Sequence, residues 1–421
     1  MAIAIIGMFD EREDILRLIK EKIEEKGQTP LLIDISIGTG GIKTSLHLDV
    51  TNEEIASQAG ATIEEVRSMV QKERDKAVSI MGSGLLKKVK ELYEKGTIEG
   101  LVVVAGMTGT FISLETLRSL PFGFPKVLVS SVASMPAYAT KFSEYFGVND
   151  VFVMNTVVDT VGMNHLIRML ATNAASAICG MVEAKSLKSK PEKKMLALTE
   201  FGFCEKGAYY VRELLKEKFE CVSFHAVGLG DKAAVNLAKQ GTFSAFLDMV
   251  PAGFSEYLFG GNRAAGPDRL RSLETLKIPY ILTPCGFDMI SCGPYERKDK
   301  NDPLWVTRKL SERKLFIQDA MRVQARTSKE EMEEIGYKVA EELNRYKYKE
   351  MVKFLIPKKG FSSISVEGGP LYDPESDEAF IKSLKKHIDP GIKVYEVETH
   401  INTMEFAQAM VKALFDALGD L

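Results

Sequence analysis

Residues 94–110 read EKGTIEGLVVVAGMTGT. A helical run ends at glycine, an apolar strand follows, and the outgoing loop carries glycine again before the next helix. Residues 239–253, KQGTFSAFLDMVPAG, repeat this order, and FPKVLVS at 124–130 matches IPYILT at 278–283. The repeated pattern predicts an internal duplication. Because open parallel sheets bind ligands at the carboxyl ends of their strands, we expect a ligand cleft between two halves.

The bulk composition describes a globular chain. With 421 residues, of which 45% are hydrophobic and 27% charged, the chain is long enough for two or three domains with large cores. The net charge of -3 is spread along the sequence, which provides no electrostatic footprint for nucleic acid or an anionic membrane. We expect neither a signal peptide nor a membrane span, because residues 1–7 contain no basic residue and no apolar run approaches the roughly 20 residues that span a bilayer. The five cysteines lack a C-x-x-C pair, so we expect a cytoplasmic protein.

Alternating strands and helices predict an α/β protein with two Rossmann-like subdomains, each a doubly wound and mainly parallel sheet. The predicted boundaries are 1–185 for the first subdomain, 186–194 for a polar linker, and 195–421 for the second. Strands are predicted at 2–6, 31–35, 101–105, 126–130, 151–153, 195–199, 221–224, 245–250, 279–283, 315–317, 352–356 and 394–397. Helices are predicted from 11, at 52–59, 62–96, from 110, at 162–183, 206–218, 231–240, 267–276, 328–345, 375–387 and from 403.

Three segments attract separate predictions. Glycines at 38–41 predict the start of a mobile flap, since no apolar periodicity follows them. The helix at 162–183 is apolar on most faces, so we expect it to be buried between the halves. Residues 284–313 form a long charged loop containing Trp305, the single tryptophan. A loop of that length is usually functional or an assembly arm.

The strongest local signal for a ligand is the glycine loop after the strand at 101–105. Glycines let backbone N–H groups approach an anion, and the following helix adds positive charge at its N-terminus. Phosphate contacts are therefore predicted for Gly106, Thr108, Gly109 and Thr110. The alternative is an ordinary strand-to-helix turn with a Thr N-cap. The loop is neither a Walker A sequence nor a GxGxxG fingerprint.

Other polar residues are expected at the same edge of the first sheet. Asp10 follows the first strand and Asp34 lies in the second, so Asp10 is a candidate ligand for a metal-bound water or a ribose hydroxyl. Its alternative role is the N-cap of the next helix. Ser131 follows the fourth strand and offers a hydroxyl, although small residues at that position also suit a plain turn.

The second half presents charged residues after its predicted strands or near its helix starts. Arg269, Arg326 and Lys359 are candidates to bind a carboxylate or phosphate, with Asp288 beside them; surface ion pairs are the alternative for each cation. The five histidines show no metal-ligand spacing and no nucleophile-histidine-acid triad.

Several motifs follow one another in a particular order along the chain. They are IIG at 5–7 with Asp10, AGMTGT at 105–110, VVDTVGMN at 157–164, NAA at 173–175, GG at 260–261, AGPDRL at 265–270, PCGFDM at 284–289, RT at 326–327, IPKKGFS at 356–362, GGPLYDP at 368–374 and HIN at 400–402. In this order they resemble one family, which contains the N-terminal ATP-binding domain of the tomato mosaic virus resistance protein and many bacterial proteins. The similarity runs nearly end to end. The resemblance implies two Rossmann-like subdomains, a homodimer and an ATP ligand.

The chain also departs from the family pattern at three places. The family loop usually reads GGSGGT, whereas Ala105, Met107 and Thr108 replace three of those positions here. A TTTE string is replaced by VPAG at 250–253, and an HNP string by QDA at 318–320. Any activity that depends on that Glu or His is lost or altered in this chain.

The leading hypothesis is therefore a protein that binds ATP or a related nucleotide at the first sheet, with Asp10 and Asp159 in polar or Mg²⁺-linked roles. As an enzyme, it would bind a small substrate in the second half through Arg269, Asp288, Arg326 and Lys359, of which the last three are also the catalytic candidates. A second hypothesis is a non-catalytic regulatory module with a protein partner, whose domain angle a ligand sets. A third is a sugar-nucleotide or phosphosugar enzyme, supported by fold analogy alone.

Overall fold

The chain forms two compact units, Met1–Ser189 and Lys190–Leu421. The computed structural model describes residues 1–38, 42–184 and 191–419. Each unit contains a parallel β-sheet flanked by helices, which confirms the predicted α/β class with two Rossmann-like subdomains. Residues 39–41 of the predicted flap and 186–190 of the predicted linker lie outside the described residues. None of the helices in the described ranges is long and apolar enough to cross a membrane.

The first unit is built on five parallel strands in the order β2-β1-β3-β4-β5. The strands are β1 (Ala2–Gly7), β2 (Thr29–Asp34), β3 (Ile98–Ala105), β4 (Lys126–Ser130) and β5 (Phe152–Asn155). The helices are α1 (Phe9–Glu25), α2 (Asn52–Gln58), α3 (Ile63–Met69), α4 (Arg74–Glu94), α5 (Met107–Ser119), α6 (Ala139–Phe146) and α7 (His165–Glu183).

Helices cover both faces of the first sheet, and its central strands are accordingly mostly apolar. Successive side chains of a strand point to opposite faces. In β1, Ile3 and Ile5 belong to the core that α1 and α7 cover, whereas Ala4 and Ile6 belong to the core under α4 and α5. Glu99 in β3 and Lys126 in β4 are charged exceptions. Polar side chains therefore collect mainly at the strand ends and in the loops that follow, which is where a ligand site has to form.

Two helix predictions in the first unit are corrected. The single helix predicted at 62–96 is in fact two helices, α3 and α4, with a break between them. A straight helix of that length would measure about 50 Å. It would extend well beyond the sheet, whose eight-residue strand β3 is about 26 Å long. Helix α7 is buried along one face only, where it packs against α1, β3 and β4. Its apolar residues Leu166 and Met169 remain exposed.

The second unit contains a six-stranded parallel sheet and a small antiparallel sheet. The large sheet has the order β14-β13-β9-β8-β6-β7 and the small one the order β10-β12-β11. The strands are β6 (Lys194–Glu200), β7 (Phe219–His225), β8 (Ala245–Asp248), β9 (Tyr280–Leu282), β10 (Met289–Ser291), β11 (Leu315–Ile317), β12 (Val323–Arg326), β13 (Val352–Pro357) and β14 (Lys393–Val397). The helices are α8 (Glu205–Leu215), α9 (Leu229–Lys239), α10 (Gly253–Phe259), α11 (Pro303–Thr307), α12 (Lys329–Leu343), α13 (Pro374–His387) and α14 (Met404–Leu418).

The predictions for residues 253–326 were the least accurate. The segment predicted as a helix at 267–276 is a series of turns. Within it, the side chain of Arg269 is buried and pairs with buried carboxylates. The segment predicted as a long loop, 284–313, contains β10, α11 and a short 3₁₀ helix at Tyr295–Lys300. Trp305 belongs to a small core of its own, which also contains Cys292, Leu304, Leu310, Val323 and Ala325.

Both large sheets share one strand order. The order β2-β1-β3-β4-β5 of the first unit corresponds to β7-β6-β8-β9-β13 of the second, which β14 then extends. The sequences that matched each other lie on equivalent strands, β3 with β8 and β4 with β9. This order is common among α/β proteins, so it does not establish common descent. The internal duplication and the cleft between halves stay predictions.

Candidate functional site

The first sheet reverses its strand order between β1 and β3. The chain leaves β1 toward β2 on one side, and β3 then continues the sheet on the other side. Loops that leave the carboxyl ends of such neighbouring strands diverge and open a crevice where ligands bind. The loop after β1 leads into α1 at Phe9, and the loop after β3 leads into α5 at Met107. The predicted residues Asp10 and Gly106 therefore lie on either side of this switch point.

The guanidinium of Arg12 lies directly against the glycine loop. A Cβ atom added at Gly106 would overlap Arg12 Nη2 well inside van der Waals contact. Gly106 is required here for space, since its φ of -84° is accessible to any residue. The side chain of Arg12 is only 6% exposed, and its backbone leaves helical geometry with φ of -127°. Sequence reasoning missed Arg12; the available signal was its place in the apolar stripe of α1, three residues before Ile15 and four before Leu16.

Three side chains hold the Arg12 guanidinium. Its Nε donates to Thr160 Oγ1 at 2.9 Å, its Nη2 to Asp159 Oδ1 at 3.3 Å, and its Nη1 to the carboxylate of Glu11. Thr160 is buried, whereas the side chains of Asp159 and Glu11 are 66% and 48% exposed. Thr160 thus orients the guanidinium from the inside, and two exposed carboxylates neutralise it. The structure brings the predicted residue Asp159 to the glycine loop through this contact.

The other residues of the glycine loop differ in accessibility. Gly106 is the N-cap of α5, so the alternative of a Thr N-cap is wrong. Thr108 is partly exposed in the first turn of α5. Gly109 is buried, and a Cβ atom added there would lie 3.0 Å from the Cβ atom of Ala105. Thr110 is buried, and its Oγ1 lies 2.9 Å from Ser130 Oγ. That bond ties α5 to the end of β4, and either hydroxyl can be its donor.

A polar cavity of about 530 Å³ lies at the carboxyl ends of β1 and β2. Asp34, the last residue of β2, is buried, and its Oδ1 accepts hydrogen bonds from Phe9 N at 3.3 Å and from Ser36 N and Oγ at 2.9 and 2.5 Å. Asp10 lies in the first turn of α1, not at the N-cap, which is Met8. The residues that line the cavity are Phe9, Asp10, Asp34, Ser36, Gly38, Ile42, Lys43, Thr44, Leu48, Thr51, Asn52, Glu53 and Arg67.

Two atoms of this cavity are buried and unpaired within the described part of the chain. They are Asp10 Oδ1 and Arg67 Nε. Buried polar atoms of native proteins are normally hydrogen-bonded to protein, water or ligand. Burial raises the pKa of the Asp10 carboxyl, although a hydrogen bond from Ser36 acts in the opposite direction. Burial also raises the pKa of Asp34. The cavity therefore has hydrogen-bonding capacity of both kinds, one acceptor and one donor, that the described residues do not satisfy. Ser131, the remaining predicted residue of this edge, is partly exposed just after β4.

Arg269, a predicted substrate contact, is instead the centre of a buried ionic cluster. Its Nε donates to Asp231 at 2.7 Å, and Nη1 and Nη2 donate to the two oxygens of Asp248 at 2.8 Å each. Tyr280 adds a hydrogen bond to Asp248 at 2.6 Å. All four side chains are buried, so the alternative of a surface ion pair is wrong. Because every guanidinium nitrogen is engaged, this geometry assigns Arg269 to the stability of the second unit.

Asp288 and Arg326 are brought together in a second buried network. Arg326 donates to the Asp288 carbonyl at 3.2 Å and to Asp377 Oδ1 at 2.6 Å, and Asp288 accepts from Ser362 Oγ at 2.5 Å. Burial raises the pKa of Asp377 to about 7, against the Arg326 guanidinium, which lowers it. Arg326 is buried, so the alternative of a surface ion pair is wrong for this residue as well. Lys359 follows β13 and is exposed, and none of the hydrogen bonds of this network reaches its side chain.

Comparison with known proteins accounts for nearly the whole chain. Residues 1–187 match the N-terminal domain of the Uncharacterised protein family (UPF0261), and residues 193–418 match its C-terminal domain. A UPF0261 protein of Clostridium tetani is 34% identical over 418 residues, which cover 99% of this chain and 98% of that protein. A family member from Rhizobium meliloti is 29% identical over 418 residues, covering 98% of each.

The tomato proteins predicted by the motifs are among the relatives. The ToMV resistance protein Tm-1(GCR237) of Solanum lycopersicum is 27% identical over 431 residues, covering 98% of this chain but 55% of the tomato protein. The ToMV susceptible protein tm-1(GCR26) is 29% identical over 353 residues and matches 45% of its own length. This chain thus corresponds to about half of each tomato protein. Together, the two domain matches and the end-to-end similarity show that the chain belongs to the Uncharacterised protein family (UPF0261).

Proposed function

We propose that the first unit binds a nucleotide whose phosphates lie at the switch point between β1 and β3. The observation that supports this most directly is the Arg12 guanidinium lying against Gly106. ATP is the nucleotide that the resemblance to the tomato ATP-binding domain predicts. The proposal does not depend on the family's usual GGSGGT loop, because here an arginine supplies the positive charge.

Three features at this point attract an anion. The N-terminus of α5, a helix of 13 residues, carries roughly half a positive charge. Gly106 has no side chain, which lets the Arg12 guanidinium lie against the start of α5. Arg12 is a fixed cation whose planar guanidinium suits phosphate oxygens. A bound phosphate would take the places of the exposed carboxylates of Glu11 and Asp159, which move to solvent at little cost, while Thr160 continues to orient Arg12.

Mg²⁺ is compatible with this arrangement when it arrives with the phosphates. Magnesium in nucleotide sites usually takes one or two carboxylates together with phosphate oxygens and waters. Asp159 and Glu11 are exposed carboxylates beside Arg12. Within the described residues no group of three or more His, Cys, Asp or Glu side chains is arranged to hold a metal. We therefore expect Mg²⁺ to strengthen ATP binding and to bind weakly by itself.

The test is isothermal titration and thermal unfolding with ATP and with inorganic tripolyphosphate, with and without Mg²⁺. A ligand at one hundred times its Kd stabilises the protein by about 2.7 kcal/mol. Replacing Arg12 with Gln removes charged hydrogen bonds of about 1.5–3 kcal/mol, so ATP should bind about 10- to 100-fold more weakly. Gly106→Ala should also weaken the binding of both ATP and tripolyphosphate, because the new methyl group displaces the Arg12 guanidinium.

The matched control is Arg17→Gln. Arg17 lies on the same helix but is 40% exposed and pairs with Glu13. It should leave both affinities unchanged. If Arg12→Gln folds as the wild type does and binds ATP and tripolyphosphate equally tightly, the phosphates do not lie at this switch point. The predicted dimer, the cytoplasmic location and turnover of a substrate stay predictions.

A further inference from the structure

The polar cavity lies within one helical turn of Arg12. Phe9 and Asp10 line the cavity of about 530 Å³. A smaller cavity of about 210 Å³ shares Asp10 with it and is also lined by Glu11, which accepts a hydrogen bond from Arg12. Asp10 and Arg12 are two positions apart at the start of α1, so a ligand whose anionic end contacts Arg12 has to pass Glu11 to place its other end in the larger cavity.

The size and lining of the larger cavity suit a nucleoside. Its volume falls within the roughly 300–1,000 Å³ of typical small-molecule sites. Ser36, Thr44 and Asn52 contribute hydroxyl and amide groups to the lining, as a polar sugar requires, whereas Ile42 and Leu48 provide apolar surface for a flat base. This mixture differs from the compact ring of oxygen ligands that holds a bare cation.

The unpaired atoms point to the sugar hydroxyls. Asp10 Oδ1 is a buried acceptor without a donor within the described residues. A buried carboxylate oxygen without a hydrogen bond is costly, and two neighbouring hydroxyls of a ribose satisfy a carboxylate well. Arg67 Nε, unpaired in the same cavity, is a donor for a ring nitrogen or a sugar oxygen.

The same observations favour ribose over Mg²⁺ as the partner of Asp10. The Arg67 guanidinium lies in the wall of the cavity and would repel a cation. Asp34 Oδ1 already accepts three hydrogen bonds from Phe9 and Ser36. Because Asp34 and Glu53 both line the cavity, the preference for ribose over Mg²⁺ depends on the positive charge of Arg67.

We propose that this cavity binds the nucleoside half of the nucleotide and that Asp10 is a specificity-determining residue, which accepts hydrogen bonds from the ribose hydroxyls. The inference rests on the phosphate site proposed at Arg12. It implies that the protein distinguishes ribonucleotides from deoxyribonucleotides, because a ligand that lacks the hydroxyl leaves the buried Oδ1 of Asp10 without a hydrogen bond.

The experiment measures the affinities of wild type, Asp10→Ala, Asp10→Asn and Asp14→Asn for ATP, 2′-deoxy-ATP and tripolyphosphate. Asp14 is exposed on the same helix and provides the matched control. Wild type and Asp14→Asn should bind ATP at least tenfold more tightly than 2′-deoxy-ATP, about 1.4 kcal/mol. Asp10→Ala should bring this ratio close to one without changing the affinity for tripolyphosphate. The isosteric Asp10→Asn, which keeps the shape of the site, should retain part of the discrimination.

The outcomes separate the two proposals. Equal binding of ATP and 2′-deoxy-ATP by wild type, with tripolyphosphate binding still dependent on Arg12, would overturn the role of Asp10 and leave the phosphate site standing. The same conclusion would follow if Asp10→Ala kept the full discrimination. If wild type bound neither ATP nor tripolyphosphate, the phosphate site itself would be wrong and the inference would fall with it.

Discussion

Replacing Arg269 with Met tests whether the buried ionic cluster stabilises the second unit. Arg269 is the cation that the structure places between Asp231 and Asp248, at 2.7 and 2.8 Å. Methionine matches much of the aliphatic bulk but supplies no positive charge and no hydrogen bond. The two carboxylates, both 0% exposed, would then be buried without their cation. The substitution therefore isolates the electrostatic part of the cluster.

The expected loss is large. Removing one partner of a buried ion pair usually costs about 3–5 kcal/mol, because the remaining charge is left uncompensated. Here one cation serves two carboxylates, so we expect about 4 kcal/mol or more. For a unit of this size that corresponds to a fall in Tm of about 8–16 °C. With an m value of about 3 kcal/mol per molar urea, the unfolding midpoint would fall by about 1.3 M.

The chain carries its own probe for the measurement. Trp305 is the single tryptophan, is buried, and lies in the second unit. Its fluorescence during urea unfolding therefore reports on the unit that contains Arg269. The control is Arg322→Met, because Arg322 is 62% exposed and pairs with Asp319 at the surface of the same unit. This variant should unfold at the urea concentration of the wild type.

The pH dependence of the loss provides a second criterion. Burial raises the pKa of Asp231, and Arg269 opposes that rise. Without Arg269 the folded variant binds more protons than the unfolded chain between pH of about 4 and the higher folded pKa, so its stability declines as pH rises through that window. The deficit should be smaller at pH 5 than at pH 8. An unfolding midpoint within error of wild type at pH 7, or a deficit that grows on acidification, would refute the reasoning.

Three further predictions concern the first unit and are measured by circular dichroism during thermal unfolding or by ligand titration. Gly84→Ala should destabilise the protein by about 1–3 kcal/mol, because the new methyl group would overlap the carbonyl of Ile55 on α2. Gly180→Ala, in open space on α7, should instead stabilise the protein by about 0.5–1 kcal/mol. Equal effects of the two substitutions on stability would contradict the packing of α2 on α4. Thr110→Val should lower the stability by about 1–2 kcal/mol, because the hydrogen bond to Ser130 is lost. Thr110→Ser, which keeps the hydroxyl, should be about as stable as the wild type. A loss of stability in both variants would show that packing, and not this hydrogen bond, is responsible. Gly38→Ala should reduce the preference for ATP over 2′-deoxy-ATP, since its methyl group would displace the Asp10 carboxylate, and an unchanged preference would count against the role of Asp10.

Long apolar segments were the part of the fold that sequence reasoning placed well. The strands predicted at 2–6 and 101–105 lie within the fully buried β1 and the central β3. Strands buried on both faces must be apolar at every position, and this requirement is visible without a structure. The three-residue strand β10 and the separation of α3 from α4 were missed. Both depend on contacts with distant segments, such as the pairing of Ile290 with Ala325.

The candidate site divides in the same way. The glycine loop at 106–110 was visible because glycines between a strand and a helix form a local pattern. Arg12 was missed because its partner Thr160 is 148 positions away in the sequence. Arg269 was identified as a charged residue of interest, but sequence reasoning did not predict its burial, since its partners Asp231 and Asp248 come from other elements.

The sequence by itself determined the α/β class, the alternation of strands with helices, and the loops at which polar residues collect, because these follow from local periodicity and from the burial of apolar strands. The tertiary structure alone decided which charges are accessible. It placed Arg12 on Gly106 at the switch point, left Asp10 Oδ1 and Arg67 Nε in one cavity without partners in the described part of the chain, and enclosed Arg269 between two carboxylates. The physical reason is that the role of a charge depends on its burial and its partners, and distant parts of the chain supply both.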